Sequence, residues 1–199
     1  MHQGKELEKA LKLVPRTRVT GVFYRSIAEA AIHSLAPPKP LHSLGPRKSG
    51  QRFTPKNGPA CLYMSEDFDT SYIETHGTAA SIAASGHHFV PPPTVIIAIS
   101  VDIEHVLDLT VPAVRDALGT DEAELSGPWF EQMLAHDSVP THSLARVAHL
   151  SNLFEAIRFT SVQKPGAINL MVWPKKLIAP HFIEVNDPSR RLHQRIPPP

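Results

Sequence analysis

The sequence predicts a single α+β domain whose strands pair mostly in an antiparallel manner. The chain has 199 residues, of which 42% are hydrophobic and 20% charged, enough for one buried core. Strand-like and helix-like segments interleave without strict alternation, and the connections near the C-terminus suit antiparallel neighbours, which argues against a doubly wound parallel sheet. No Gly-x-Gly-x-x-Gly turn or Gly-Lys-Ser/Thr loop occurs, so a bound nucleotide would be held by side chains.

The first elements are short, and a long irregular segment follows them. Residues 5–13 predict a helix that Pro15 ends, 18–27 predict a strand, and 28–35 predict a short helix. Residues 36–60 are rich in Pro and Gly, and the twenty prolines of the chain are about twice the average usage. Long irregular segments within compact domains are usually functional or disordered.

A buried strand and an amphipathic helix follow. The apolar run ACLYMS (60–65) is typical of a buried strand, and Ser65 or Asp67 is placed to cap the next helix. Glu74 lies on that helix among small neighbours, where a ligand could approach closely. A core-facing stripe is expected from the residues at steps of three or four: Phe68, Tyr72, Thr75, Ala79, Ile82 and Ala83.

The second half begins with the clearest strand, PTVIIAISVDI (93–103). In the next segment, 108–119, Thr110 is the expected cap of a helix. The other expected elements are helices over 128–134 and 141–157, the latter burying Leu144, Val147, Ala148 and Leu150, and strands over 167–173 and 181–185. The domain is therefore expected over 18–187, after an N-terminal extension (1–17) and before a flexible or partner-bound tail (188–199).

Charge and cysteine usage exclude several classes of protein. A formal net charge of +1 does not indicate a generally basic surface that would bind nucleic acid or an anionic membrane. The four basic residues between Arg47 and Lys56 are interpreted as part of a solvated loop rather than a nucleic-acid surface. Cys61 is the only cysteine, which excludes an intrachain disulfide, and its apolar surroundings are typical of an inert core thiol.

Other kinds of site and location are also disfavoured. The twelve histidines show no spacing that would converge on a metal, so no metal site is expected. No Gly-x-Ser-x-Gly elbow is present for a serine hydrolase. The charged N-terminus does not resemble a secretory signal, and no apolar run approaches the roughly 18 residues of a membrane span, so a cytoplasmic protein is expected.

Three segments together resemble a known family. They are SGQRF (49–53), GPACLYMSEDFDTSYIE (58–74) and LSNLFEAIRFTSVQKPGAINLMVWP (150–174). They resemble the RES domain family, named for its Arg, Glu and Ser, whose members include toxins of bacterial toxin–antitoxin pairs. The resemblance covers roughly residues 20–185. The family typically has Gly-Arg-Trp where this chain has Gln-Arg-Phe, so the aromatic is kept and the glycine is replaced.

The resemblance implies a fold like that of ADP-ribosyltransferases and an activity that consumes NAD. It implies that Arg52 and Glu74 are catalytic and that Arg25, Tyr63 and Ser161 bind substrate. A carboxylate stabilises the oxocarbenium-like ribose as nicotinamide leaves, and a guanidinium grips a pyrophosphate in bidentate fashion. A tyrosine ring can stack on nicotinamide, and a serine hydroxyl can bind ribose or phosphate.

NAD is then a substrate rather than a cofactor, with inorganic phosphate as a co-substrate if the bond is cleaved by phosphorolysis instead of hydrolysis. The expected partner is a cognate antitoxin with a helix-turn-helix DNA-binding domain, with no direct nucleic-acid or membrane binding, and a homo-oligomer is left open. Two alternatives remain: transfer of ADP-ribose to a protein, and a non-catalytic module that binds a nucleotide or a partner.

Overall fold

The computed structural model describes residues 1–33, 39–84 and 93–198. The helices of this part are α1 (Gly4–Leu13), α2 (Glu29–His33), α3 (Gly45–Ser49), α4 (Phe68–Ala84), α5 (Pro112–Ala117), α6 (Glu122–Leu125), α7 (Trp129–Leu134) and α8 (Pro140–Ser151). The strands are β1 (Thr17–Ala28), β2 (Leu62–Ser65), β3 (Thr94–Asp108), β4 (Ala156–Thr160), β5 (Ile168–Val172), β6 (Phe182–Val185) and β7 (Arg195–Ile196).

The seven strands form one sheet in the order β1-β2-β5-β4-β3-β6-β7, and β1 also pairs with β3. The first five strands therefore close into a ring. The long strands β1 and β3 run antiparallel from Thr17↔Val106 to Ala28↔Thr94, whereas β1 meets β2 at the single pair Tyr24↔Ser65. Only β3 and β4 pair in parallel. The prediction of an α+β fold with mostly antiparallel strands is confirmed.

The strands β2, β5 and β4 separate two hydrophobic cores. Directly paired residues point to the same side of a sheet, and neighbours along a strand alternate. Met171 and Ile157, which pair with each other, lie in a core shared with helices, which we call the helical core. Leu170 lies in the second core, formed mainly by strands, which we call the strand core. The helical core also contains Leu7 and Leu11 of α1, so the expected N-terminal extension is part of the domain's packing.

Helix α4 does not pack as the sequence predicts. Phe68 is 54% exposed and Tyr72 49% exposed, whereas the side chains of Thr70 and Ser71 are buried. The predicted core-facing stripe is therefore wrong at Phe68, Tyr72 and the exposed Thr75. The side chains of the other predicted stripe residues lie outside the described part: Ala79, Ile82 and Ala83. The helix begins as expected after Asp67, whose carboxylate accepts from the backbone N–H of Thr70 at 2.8 Å.

The segment predicted as one helix over 141–157 divides into α8 and β4. Asn152 adopts a left-handed conformation with φ of 56°, which ends α8 after Ser151. Leu144 and Ala148 are buried as predicted, but Leu150 is exposed.

Two further expectations are corrected. Helix α5 has Val111 as its N-cap, and the Thr110 hydroxyl donates to Asp108 instead of capping the helix. In the tail, Arg195 and Ile196 pair with β6, which differs from the flexible tail that the sequence predicts. Segment 36–60 is largely irregular, with α3 inside it, and its residues 36–38 lie outside the described part.

Candidate functional site

Glu74 is held by polar side chains at the ends of three strands. Its Oε1 accepts hydrogen bonds from the Ser161 hydroxyl at 2.6 Å and from Nδ2 of Asn169 at 2.7 Å. Ser65 donates in turn to Oδ1 of Asn169 at 2.7 Å. Ser65 ends β2 and pairs with Asn169 of β5, which pairs with Phe159 of β4, so these side chains share the face of the helical core.

The Ser161 hydroxyl has no hydrogen-bonding capacity left. It donates to Glu74 and accepts from the backbone N–H groups of Gln163 at 3.1 Å and Lys164 at 2.9 Å. A hydroxyl has one donor and two acceptor positions, and all three are used. Ser161 therefore acts on Glu74 in this arrangement, and a direct contact with substrate would require one of these bonds to break.

Arg52 lies buried at the tip of a tight turn. The backbones of Gln51 and Thr54 exchange hydrogen bonds of 2.7 and 2.8 Å across the turn. The Arg52 guanidinium donates to the carbonyl of Leu125 at 2.7 Å and to the carbonyl of Thr160 at 2.8 Å. Nη2 also donates to the Ser126 hydroxyl at 3.4 Å. These bonds use three of the five guanidinium N–H groups, which leaves two for an anion.

Burial lowers the pKa of Arg52 to about 10, and the nearby Glu74 carboxylate opposes this shift. The guanidinium remains charged at neutral pH. Arg52 contacts the carbonyl of Thr160, and Glu74 contacts the side chain of the next residue, Ser161. Two consecutive residues, Thr160 and Ser161, thus hold the Arg52 guanidinium and the Glu74 carboxylate. The two charged groups lie near one another but do not form an ion pair in the described structure.

Tyr63 supports the turn that carries Arg52. Its hydroxyl accepts from the backbone N–H of Phe53 at 3.0 Å and shares a hydrogen bond of 3.0 Å with Thr54. Burial raises the pKa of the Tyr63 phenol well above 10. Its ring meets Phe159 edge to face, with 6.3 Å between the centroids. The contacts in the structure make Tyr63 an anchor of the turn, and the predicted stacking on nicotinamide stays a prediction.

Arg25 forms its hydrogen bonds in a different part of the domain. It donates to the carbonyl of His42 at 2.9 Å and more weakly to that of Pro40 at 3.4 Å. Burial lowers the pKa of Arg25 to about 10. Its charge also acts on Cys61, whose pKa burial nevertheless raises to about 12, so this thiol is inert. Arg25 is not brought into recorded contact with Glu74.

Sequence comparison identifies the family. The model of the RES domain matches residues 21–193, a span that contains all the residues described above. The chain belongs to the RES domain family. This confirms the resemblance drawn from the three sequence segments.

The fold of this chain is also found among solved structures. This chain is similar to a chain of the M. tuberculosis MbcT–MbcA toxin–antitoxin complex, with a TM-score of 0.63 and 15% sequence identity. The similarity covers 97% of this chain and 92% of that one. At this identity the likeness shows the fold alone. A search of curated proteins finds no match.

Sequence reasoning missed two residues of this candidate site, Ser65 and Asn169. Each is a buried polar residue in an otherwise apolar strand, and the two face the same side. A single polar residue within each apolar strand was therefore the feature of the sequence that could have indicated these two residues. Of the predicted site residues, the structure brings Arg52, Glu74 and Ser161 together. Tyr63 is connected to them through the turn that carries Arg52. Arg25 forms a separate set of contacts.

A second polar cluster lies on the opposite face of β4. Arg158 pairs with Glu66 at 2.6 Å and with Asp108 at 3.0 Å. It borders an open cavity of about 520 Å³ lined also by Glu66 and residues 17–23 of β1. Within the described ranges, no group of three or more His, Cys, Asp or Glu side chains is arranged to hold a metal. Nor does any helix of the described chain have the length and apolarity to cross a membrane.

Proposed function

We propose that this RES-domain protein is an NAD-consuming enzyme that cleaves the bond between nicotinamide and ribose, and that it acts as the toxin of a toxin–antitoxin pair. The observation that carries the proposal is the fixed Glu74 carboxylate near the buried Arg52, whose guanidinium forms no ion pair with any residue in the described part of the chain. Family membership and the fold shared with a chain of a toxin–antitoxin complex support it.

The chemistry requires a negative group near the ribose. As the bond from C1′ to the pyridinium nitrogen breaks, its electron pair goes to nitrogen and nicotinamide leaves neutral. The ribose then carries positive oxocarbenium character, which a carboxylate stabilises more in the transition state than in the ground state. Glu74 suits this role because Oε1 is occupied by Ser161 and Asn169, while no hydrogen bond to Oε2 is recorded in the described part.

The positive groups suit the anionic part of the substrate. Arg52 keeps two unused N–H groups and a charge that burial leaves poorly compensated. A pyrophosphate that approached it would gain charge-assisted hydrogen bonds. We assign Arg25 to the same ligand as the second cation. An oxygen of phosphate or water then bonds to the ribose carbon that nicotinamide has left and releases its proton to solvent, giving ADP-ribose-1″-phosphate or ADP-ribose.

The proposal includes a protein partner. The similar structure is a toxin–antitoxin complex, which supports a cognate antitoxin for this chain as well. We propose that the antitoxin carries a helix-turn-helix DNA-binding domain and that the toxin acts in the cytoplasm on the NAD pool.

The test is release of nicotinamide from NAD by the purified protein, with phosphate present or absent and the products resolved by mass. A phosphorylated ADP-ribose indicates phosphorolysis, and free ADP-ribose indicates hydrolysis. Label from adenine-labelled NAD that stays on precipitated protein would indicate protein ADP-ribosylation instead. No nicotinamide release under any condition, including with candidate protein acceptors, would remove the enzymatic proposal.

A further inference from the structure

Ser65 and Asn169 form a chain of hydrogen bonds behind Glu74. Both are buried, at 3% and 5% exposure, in strands whose other residues are largely apolar. We propose that these two are positioning residues that fix the Glu74 carboxylate so that Oε2 is the oxygen left for the substrate. This inference rests on the function proposed above.

The direction of the chain follows from the charge of Glu74. An ionised carboxylate only accepts hydrogen bonds, so Asn169 must present its amide N–H₂ to Glu74. The Oδ1 of Asn169 then faces Ser65, whose hydroxyl must donate to it. Loss of the Ser65 hydroxyl removes the group that holds the amide in this orientation. Within the described residues, loss of Asn169 leaves Ser161 as the one donor to the carboxylate.

The two donors converge on one oxygen, which restricts rotation of the carboxylate. Ser161 and Asn169 approach Oε1 from the ends of two neighbouring strands, at 2.6 and 2.7 Å. With one donor alone the group would be free to turn about its single hydrogen bond. Misplacement of a catalytic group by about 1 Å costs up to roughly a hundredfold in rate. The effect should fall on turnover, because Ser65 and Asn169 act through Glu74 in this proposal.

The chain offers a matched control. Ser100 of β3 donates to Oδ1 of Asn186 at 2.8 Å, the same Ser-to-Asn pair in an exposed position. In the described structure, this pair forms no hydrogen bond or ion pair with Glu74 or Arg52. Ser100→Ala and Asn186→Ala therefore remove the same chemistry from the surface.

The experiment measures kcat and KM for NAD separately in Ser65→Ala, Ser65→Thr, Asn169→Ala and Asn169→Asp, with the two control variants. We expect kcat to fall about tenfold in Ser65→Ala and about tenfold to a hundredfold in the Asn169 variants, with KM within about twofold. Asn169→Asp should lose most, because it places a second carboxylate against Glu74. Ser65→Thr, which keeps the hydroxyl, should recover most of kcat, and the controls should match wild type.

An unchanged kcat in folded Asn169→Asp, or a raised KM at unchanged kcat, would overturn the inference. A crystal structure of Ser65→Ala provides a readout that does not depend on activity or on the Asn169 variants. We expect the Asn169 amide to turn and its 2.7 Å contact with Glu74 to be lost, and an unchanged contact would contradict us. If wild type releases no nicotinamide, the proposed function fails, while this structural comparison still decides whether Ser65 positions the amide.

Discussion

The two faces of β4 hold an arginine in opposite ways. On the strand-core face, Arg158 is paired directly with Glu66 and Asp108, and these hydrogen bonds outweigh burial, so its pKa is raised. On the helical-core face, Arg52 donates to backbone carbonyls, and burial lowers its pKa to about 10. The first cluster pairs its cation directly with two carboxylates. In the second cluster, the Arg52 guanidinium and the Glu74 carboxylate lie near each other, but each is hydrogen-bonded to neutral groups. Both charges therefore remain able to interact with a charged ligand.

The largest expected difference between the faces is in catalysis. Glu74→Gln should lower nicotinamide release about a hundredfold or more, because the amide cannot stabilise the developing positive charge. Glu66→Gln, the same substitution on the other face, should leave turnover within about twofold. Steady-state rates of the two variants check this, and equal losses would show that the faces do not differ as described.

Arg52→Lys should have the next largest effect. A lysine keeps the charge but loses the planar fork that reaches the Leu125 and Thr160 carbonyls together. We expect kcat/KM for NAD to fall about tenfold or more, together with a lower melting temperature. Kinetics compared with Arg158→Lys test this. The comparison between the faces would fail if Arg158→Lys lost as much activity.

Arg158→Met should act on stability alone. It leaves Asp108, whose side chain is only 4% exposed, without its cation. Removing one partner of a buried pair costs about 3–5 kcal/mol, and the partial exposure of Arg158 reduces this to about 2 kcal/mol. Urea unfolding measures the loss. Turnover per folded molecule should match wild type, and a loss of activity at full folding would contradict the separation of the two clusters.

A third cluster, around His181, predicts a small dependence on pH. Burial lowers the pKa of His181, but its hydrogen bonds to Glu155 and Glu104 at 2.7 and 3.1 Å outweigh this and raise it above 6.5. Because the pKa of His181 is raised in the folded state, protonated His181 stabilises the fold fully below about pH 6.5. This stabilisation is lost as the pH rises through the pKa of the folded state.

The difference in the free energy of unfolding between wild type and His181→Gln should therefore be larger at pH 6 than at pH 8, by an amount on the order of 1 kcal/mol or less. Urea unfolding at the two pH values measures it. His193, more exposed and 3.7 Å from Glu184, is the matched control position. An equal difference at both pH values would show that protonated His181 contributes nothing.

Sequence patterns predicted the strands better than the helix that carries Glu74. The apolar runs of β2 and β3 identify buried strands because burial in the core selects apolar residues along both strands. Helix α4 instead buries Thr70 and Ser71, and its Glu74 bonds to polar side chains, so hydrophobic periodicity selects the wrong face. The sequence predicts helix at the start of β4 because Ala156 and Ile157 continue the apolar pattern of α8, whereas the left-handed Asn152 ends that helix.

The site was predictable only in part, for a related reason. The family resemblance implies roles for Arg52, Glu74 and Ser161. Ser65 and Asn169 lie in the same segments, but as single polar residues in apolar strands they are not singled out by it. Their role depends on pairing between β2 and β5, which are about a hundred residues apart in sequence, and no local pattern contains that pairing.

The most direct measurement of the central claim is mass-resolved release of nicotinamide from NAD by the wild-type protein beside Glu74→Gln. The account predicts stoichiometric nicotinamide and an ADP-ribose product from wild type, and a rate lower by about a hundredfold or more from the variant. Equal rates from both proteins, or no product from either with phosphate, water or protein as acceptor, would contradict it.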